Sequence, residues 1–275
     1  MTRKFCVLKP DLKEAMSVIY NEIGEGYDIT RCADPEIVNI LAGLMVLHEK
    51  GAYLDVGCGT GNYTAELAKI GGKWKAFDQS VLMIEKAKSK NSGIEWSVFD
   101  VVNTSYESAS FDAALCSLAI HHFPNLSDAS REVSRVLVSS GRFVIFTSTP
   151  EQMSSYWLKH YFPIMLKRSI EQMPSINKIQ SAINAASLKL VEIKQFSVSA
   201  ELKDLFLYSG KQRPEMYLSE SVRAGISSFR NFCPNSELES GLSLLAADIE
   251  TGNINHIIEK YEKNTGDYCF LVAQK

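Results

Sequence analysis

Leu54-Asp55-Val56-Gly57-Cys58-Gly59-Thr60-Gly61-Asn62 decides how this chain is read. Ala52, Tyr53, Leu54 and Val56 form an apolar run suited to a buried strand. The run stops at Gly57, Gly59 and Gly61, and a helix-compatible stretch begins near Asn62. Glycine has no Cβ and tolerates positive φ, so such a turn brings bare backbone and a helix N-terminus close to a ligand. Asp55 adds a carboxylate just before the turn, which favours a cationic or hydrogen-bond-donating ligand. A dinucleotide site would need Gly-x-Gly-x-x-Gly, and Asn62 stands where that third glycine belongs. No Gly-Lys-Ser/Thr follows, which excludes a phosphate loop.

Downstream, strands and helices alternate. Leu67, Ala68 and Ile70 give Tyr63–Ile70 helical spacing, and Gly71-Gly72 ends it. A short strand at Trp74–Phe77 finishes at Asp78. Ser80 is placed to cap a helix reaching Lys90, with Val81, Met83, Ile84 and Ala87 on one face. Ile94–Phe99 is a third strand ending at Asp100, and Phe111–Leu118 a fourth. Leu126–Leu137 is helical, and Ser139-Ser140-Gly141 turns into a fifth strand, Arg142–Thr147. This alternation predicts an α/β fold, a doubly wound parallel sheet with helices on both faces. Ligands of such sheets lie at the carboxyl ends of strands. Those ends carry Gly57, Asp78, Asp100 and Ser117–Leu118.

The acidic-x-Gly-x-Gly-x-Gly string and these strand-end residues together resemble the class I S-adenosylmethionine (SAM) dependent methyltransferases. Within that family the small-molecule, type 11/25-like branch is the nearest in pattern. The resemblance implies a Rossmann-like sheet of seven strands with an antiparallel last strand, and SAM as methyl donor. It implies that Asp78, with Gln79 beside it, meets the ribose hydroxyls, for which two carboxylate oxygens suit two donors. Asp100 and Val101 would recognise adenine, and Met83 would pack on its face. Asp55, Gly57, Cys58, Gly59 and Gly61 would lie by the amino-acid part, with Ser117 and Leu118 beside the methyl group. His121 and His122, after the fourth strand, are candidate general bases. The Tyr-x-x-x-Arg segment resembles a lid in which Tyr27 and Arg31 close over the cofactor, Arg31 pairing with its carboxylate.

The flanks divide the chain into an N-terminal helical lid (1–50), a SAM-binding core (51–149), a helical substrate cover (150–187) and the end of the sheet (188–275). Asp34-Pro35 signals the start of a helix over Glu36–Leu47. In the aromatic-rich stretch after Pro150, Tyr156, His160 and Phe162 are candidate pocket walls, and Arg168 a candidate partner for an acidic substrate group. Leu188–Val198 and Asp267–Ala273 read as the sixth and seventh strands. Residues 199–266 read as a largely helical insertion broken at Pro214 and Pro234.

Among its 275 residues, 45% are hydrophobic and 22% charged, an ordinary balance for a globular protein. A net charge of −3 gives no electrostatic reason to expect nucleic acid. The Asn/Asp-Pro-Pro-aromatic motif of amino-group modifiers is replaced by Ser117-Leu118-Ala119-Ile120. The six cysteines are scattered without a Cys-x-x-Cys pair, so no metal site is expected. No apolar run reaches membrane-spanning length and no secretory leader is recognisable, which points to a cytoplasmic protein without membrane association. The expectation is a SAM-dependent methyltransferase acting on an oxygen, nitrogen or carbon of a small molecule. A SAM-binding protein without methyl transfer, or a methyltransferase acting on a macromolecule, fits the same residues.

Overall fold

The computed structural model describes residues 30–90 and 93–275. Tyr27, named above as part of a lid, lies outside the described residues. Among the described residues the first full helix, α1, is Pro35–Met45, and the Asp34 carboxylate caps it by accepting from the Glu36 and Ile37 amides at 2.9 and 3.2 Å. The core follows as β1 (Ala52–Val56), α2 (Asn62–Ile70), β2 (Lys73–Asp78), α3 (Val81–Lys88), β3 (Glu95–Val98), β4 (Phe111–Ser117), α4 (Leu126–Val136) and β5 (Leu137–Thr147). Then come α5 (Pro150–Ser154), α6 (Pro163–Glu171), α7 (Ile176–Ala185) and β6 (Lys189–Phe196). Four more helices, α8 (Glu220–Ala224), α9 (Ser227–Phe232), α10 (Asn235–Thr251) and α11 (Asn253–Tyr261), precede β7 (Tyr268–Gln274).

The seven strands form one sheet in the order β3-β2-β1-β4-β5-β7-β6. β1 pairs in parallel with both β2 and β4, so the strand order reverses beside it. That reversal splays the loops after β1 and β4 apart and opens a crevice at their carboxyl ends. β7 runs antiparallel to both β5 and β6. The fifth strand starts earlier than its sequence suggests: Leu137 already pairs with Phe111, and the pairing shifts register before Ala113 meets Arg142.

Alternation along β1 supplies both faces of the sheet. Tyr53 points to one core with Ile37, Leu41, Leu67, Phe146 and Phe270. Leu54 and Val56 point to the other, with Val133, Ile179 and Ile183 from α4 and α7. The first core runs on without a break into Trp157, Phe162, Tyr208, Tyr217, Phe229 and Leu245, so the segments after β5 and β6 fold as one body with the sheet. The insertion is helical only in part, since residues 199–213 contain no helix and the first helical turn starts at Pro214. Among the described residues no helix is long and apolar enough to cross a membrane.

Candidate functional site

Gly57, Gly59 and Gly61 adopt φ of 73°, 55° and 74°. A residue with a Cβ is disfavoured there by roughly 1–2 kcal/mol. The Gly57 and Cys58 amides both donate to the Phe77 carbonyl, at 2.9 and 3.0 Å, which ties the turn to β2. At Gly61 a Cβ would stand 2.3 Å from the Trp96 ring, so this glycine is needed for helix–sheet packing. At Gly59 it would meet nothing within 4 Å, and Gly59 lines a cleft. The sequence placed all three glycines under a ligand. The structure sets Gly57, Cys58 and Gly59 in the cleft wall, with Gly61 packed behind it.

The cleft has a volume of about 210 Å³ and lies over the carboxyl ends of β1, β2 and β4. Asp78, Gln79 and Met83 line it, as do Asp100, Val101, Ser117 and Leu118. Asp78 is fixed by two backbone donors: Gly59 N to Oδ2 at 3.0 Å and Ser80 N to Oδ1 at 2.9 Å. Burial raises its pKa, against the pull of those same hydrogen bonds. Asp55, 2% exposed, accepts from the Thr64 hydroxyl at 2.6 Å on Oδ2, and its Oδ1 has no partner among the described residues. Burial pushes its pKa up to about 7; the Thr64 hydrogen bond lowers it and the Asp78 charge adds to the rise. Asp100 Oδ1 accepts from the Val102 amide at 3.2 Å.

These residues fit the methyl donor that the sequence implies. Three carboxylates suit its hydroxyls, amines and positive charge. Two further buried polar atoms on the cleft wall, Ser117 Oγ and His121 Nδ1, have no partner among the described residues, as a bound ligand would require.

His121 and His122 form a short turn after β4 with ring centroids 3.8 Å apart, and both line the cleft. Burial lowers the His121 pKa to about 4. His122 is held well below its ordinary value by burial, with His121 adding to the effect. Both rings are therefore neutral near pH 7, and the Nδ1 of His121 is a buried position with no hydrogen-bond partner among the described residues.

Arg31 lines the cleft, and its guanidinium forks onto Asp204 at 2.5 and 3.3 Å. Tyr63 donates to the same carboxylate at 3.0 Å. The segment bearing Arg31 is held from both sides: Asn62 Nδ2 donates to the Arg31 carbonyl, the Leu205 amide to the Thr30 carbonyl, and the Lys203 amide to Asp34. Asp204 thus gives Arg31 a carboxylate partner within the chain, while Arg31 keeps its place in the cleft wall where the sequence expected it. No local motif marks Asp204, which stands 173 residues from its partner.

The expected substrate residues lie elsewhere. Tyr156 stacks on Tyr208 at 4.0 Å and its hydroxyl meets that of Tyr217, deep in the core. Phe162 is fully buried against Phe229. His160 packs by Tyr161 and Tyr261, and Arg168 reaches the Phe232 carbonyl at 3.4 Å. None of the four lines the cleft. On and just after α6 the cleft wall is instead Ser169, Gln172 and Met173, one stripe at helical spacing from which Arg168 is offset. The insertion contributes Phe206, Leu207, the run 224–228 and Arg230, all unforeseen from sequence.

The methyltransferase domain family matches residues 54–145. A solved structure from Anabaena variabilis, provisionally described as a methyltransferase from an antibiotic biosynthesis pathway, is 31% identical. It superposes with a TM-score of 0.79 over 88% of this chain and 98% of its own. The demethylmenaquinone methyltransferase of Oceanobacillus iheyensis is 27% identical over 172 residues, 59% of this chain and 70% of that protein. The malonyl-[acyl-carrier protein] O-methyltransferase of Salmonella typhimurium is 25% identical over 136 residues, 50% of this chain and 54% of that protein.

Proposed function

The chain belongs to the class I SAM-dependent methyltransferases, and we propose that it methylates an oxygen, nitrogen or carbon atom of a small molecule. Bound SAM supplies a methyl group made electrophilic by its sulfonium, so the protein needs no nucleophile of its own. The chain's task is to orient the acceptor and exclude water, which contributes roughly 7–11 kcal/mol to barrier lowering in favourable cases. Asp78, held by the Gly59 and Ser80 amides, presents its remaining lone pairs to the ribose hydroxyls, with Gln79 alongside. Asp100, Val101 and Met83 hold adenine; Asp55, Gly57, Cys58 and Gly59 hold the amino-acid part; Ser117 and Leu118 flank the methyl group. His121, neutral and open at Nδ1, takes the proton where the acceptor must lose one. Arg31 acts through Asp204, closing the cleft wall.

The observation that carries the small-molecule reading is the roof. Phe206, Leu207, residues 224–228 and Arg230 bring the chain's own insertion into the wall of the same cleft that Asp55, Asp78 and Asp100 line. Supporting it are the net charge of −3 and the relative named for demethylmenaquinone. The same reading makes the protein a cytoplasmic enzyme with no nucleic-acid partner. Incubating it with methyl-labelled SAM and cell extract, then separating low-mass from macromolecular products, tests the reading. Label is expected in the low-mass fraction. Label confined to protein or RNA would transfer the activity to a macromolecular acceptor, and binding without any label would leave a SAM-binding protein.

A further inference from the structure

We infer that the acceptor carries an anionic group, a carboxylate or a comparable small oxyanion, which pairs with Arg230 on the exposed part of the cleft wall. The inference deepens the methyltransferase reading and rests on it. It starts from how charge is distributed around the cleft. The cofactor end holds Asp55, Asp78 and Asp100, all suited to a donor with a sulfonium and an ammonium. Among the described residues two guanidinium groups line the cleft, Arg31 and Arg230, and no lysine does. Arg31 is committed to the buried Asp204. His121 and His122 carry no charge near pH 7.

Arg230 differs from all of these. It lies on α9, exposed, and its Nη2 donates to the Ala224 carbonyl at 3.2 Å. Among the described residues it stands in no ion pair. A cation left without a carboxylate beside an enclosed cleft is matched to an anion brought by the ligand, and the planar guanidinium fork fits a carboxylate in bidentate geometry. Met153, Met173, Phe206, Leu207 and Ile226 give the cleft wall its apolar surface, interspersed with the uncharged polar Ser169, Gln172, Ser227 and Ser228. Largely apolar walls with a few placed polar groups fix a ligand's orientation. The acceptor that fits is therefore an apolar body with one anionic end, held by Arg230 so that its reacting atom faces Ser117 and His121.

The test divides a low-mass cell extract on an anion-exchange resin before any reaction. Retained and unretained fractions are then incubated with the full chain and methyl-labelled SAM. Charge is sorted on the acceptor, so the result holds even where methylation later removes the charge. Label is expected in the retained fraction, about tenfold lower with Arg230→Gln and partly restored with Arg230→Lys. Binding of S-adenosylhomocysteine should be the same in all three proteins, which shows that the variants are folded and the cofactor end intact. Label that follows the unretained fraction, or Arg230→Gln working as well as wild type, overturns the inference. Failure of the methyltransferase reading looks different: the wild type would bind neither SAM nor S-adenosylhomocysteine, or would bind them and label neither fraction.

Discussion

Asp55 sits at the tip of β1, buried, with one oxygen on the Thr64 hydroxyl and the other unpartnered toward the cleft. Its pKa of about 7, against an ordinary 3.8, couples folding to pH. The native chain holds a proton between pH 4 and 7 that the unfolded chain has released. Stability from this group is therefore full below pH 4 and is lost as pH rises through 7. Asp55→Asn keeps an acceptor for Thr64 and removes the buried charge. Urea unfolding at pH 8 should show it more stable than wild type by about 1–4 kcal/mol, with the gap narrowing at pH 5. The same substitution should weaken SAM more than S-adenosylhomocysteine, because only SAM carries the sulfonium charge. A variant less stable than wild type at pH 8 would contradict this account of the residue.

The turn between β1 and α2 is the element on which the site depends, and its glycines divide the work. Gly61 allows α2 to pack against Trp96 of β3, whereas Gly59 leaves open space in the cleft. Gly61→Ala should cost about 2–5 kcal/mol of stability, from positive φ plus overpacking. Gly59→Ala should cost only about 1–2 kcal/mol, yet weaken SAM markedly, since its Cβ enters the space the ligand needs. Denaturation and calorimetric titration of both variants separate the two roles; the reverse ranking would refute them.

Elements of this kind were legible in the sequence because strand and helix periodicities report burial directly. Asp34, Ser80 and the glycines each mark a cap or turn that the structure contains. The cover was not legible in the same way. Tyr156 and Phe162 show the apolar spacing of a pocket wall and of a core alike, and here they fill the core. Asp204 and Arg230 are defined by partners or surroundings that only long-range folding assembles.

Across the whole molecule, one sheet and its two cores hold four strand tips in register, and the chain's later segments close over them. The sheet reverses order beside β1, which opens the crevice. The cover shares a continuous core with one sheet face, so the two pack as one body. Acidic groups gather at one end and an unpaired arginine stands on the exposed wall, giving the cleft a direction for a cationic donor and an anionic acceptor. The central claim is that Asp78, pinned by Gly59 and Ser80, grips the nucleoside of SAM. Titration calorimetry of SAM into wild type and Asp78→Asn tests it most directly. Wild type should bind. The variant, which loses one of the two backbone hydrogen bonds and unfolds at a somewhat shifted midpoint, should still be folded at the assay temperature. It should bind about a hundredfold more weakly, the loss expected for two charge-assisted hydrogen bonds. Equal affinity in the two proteins, or no binding by wild type at millimolar SAM, would contradict it.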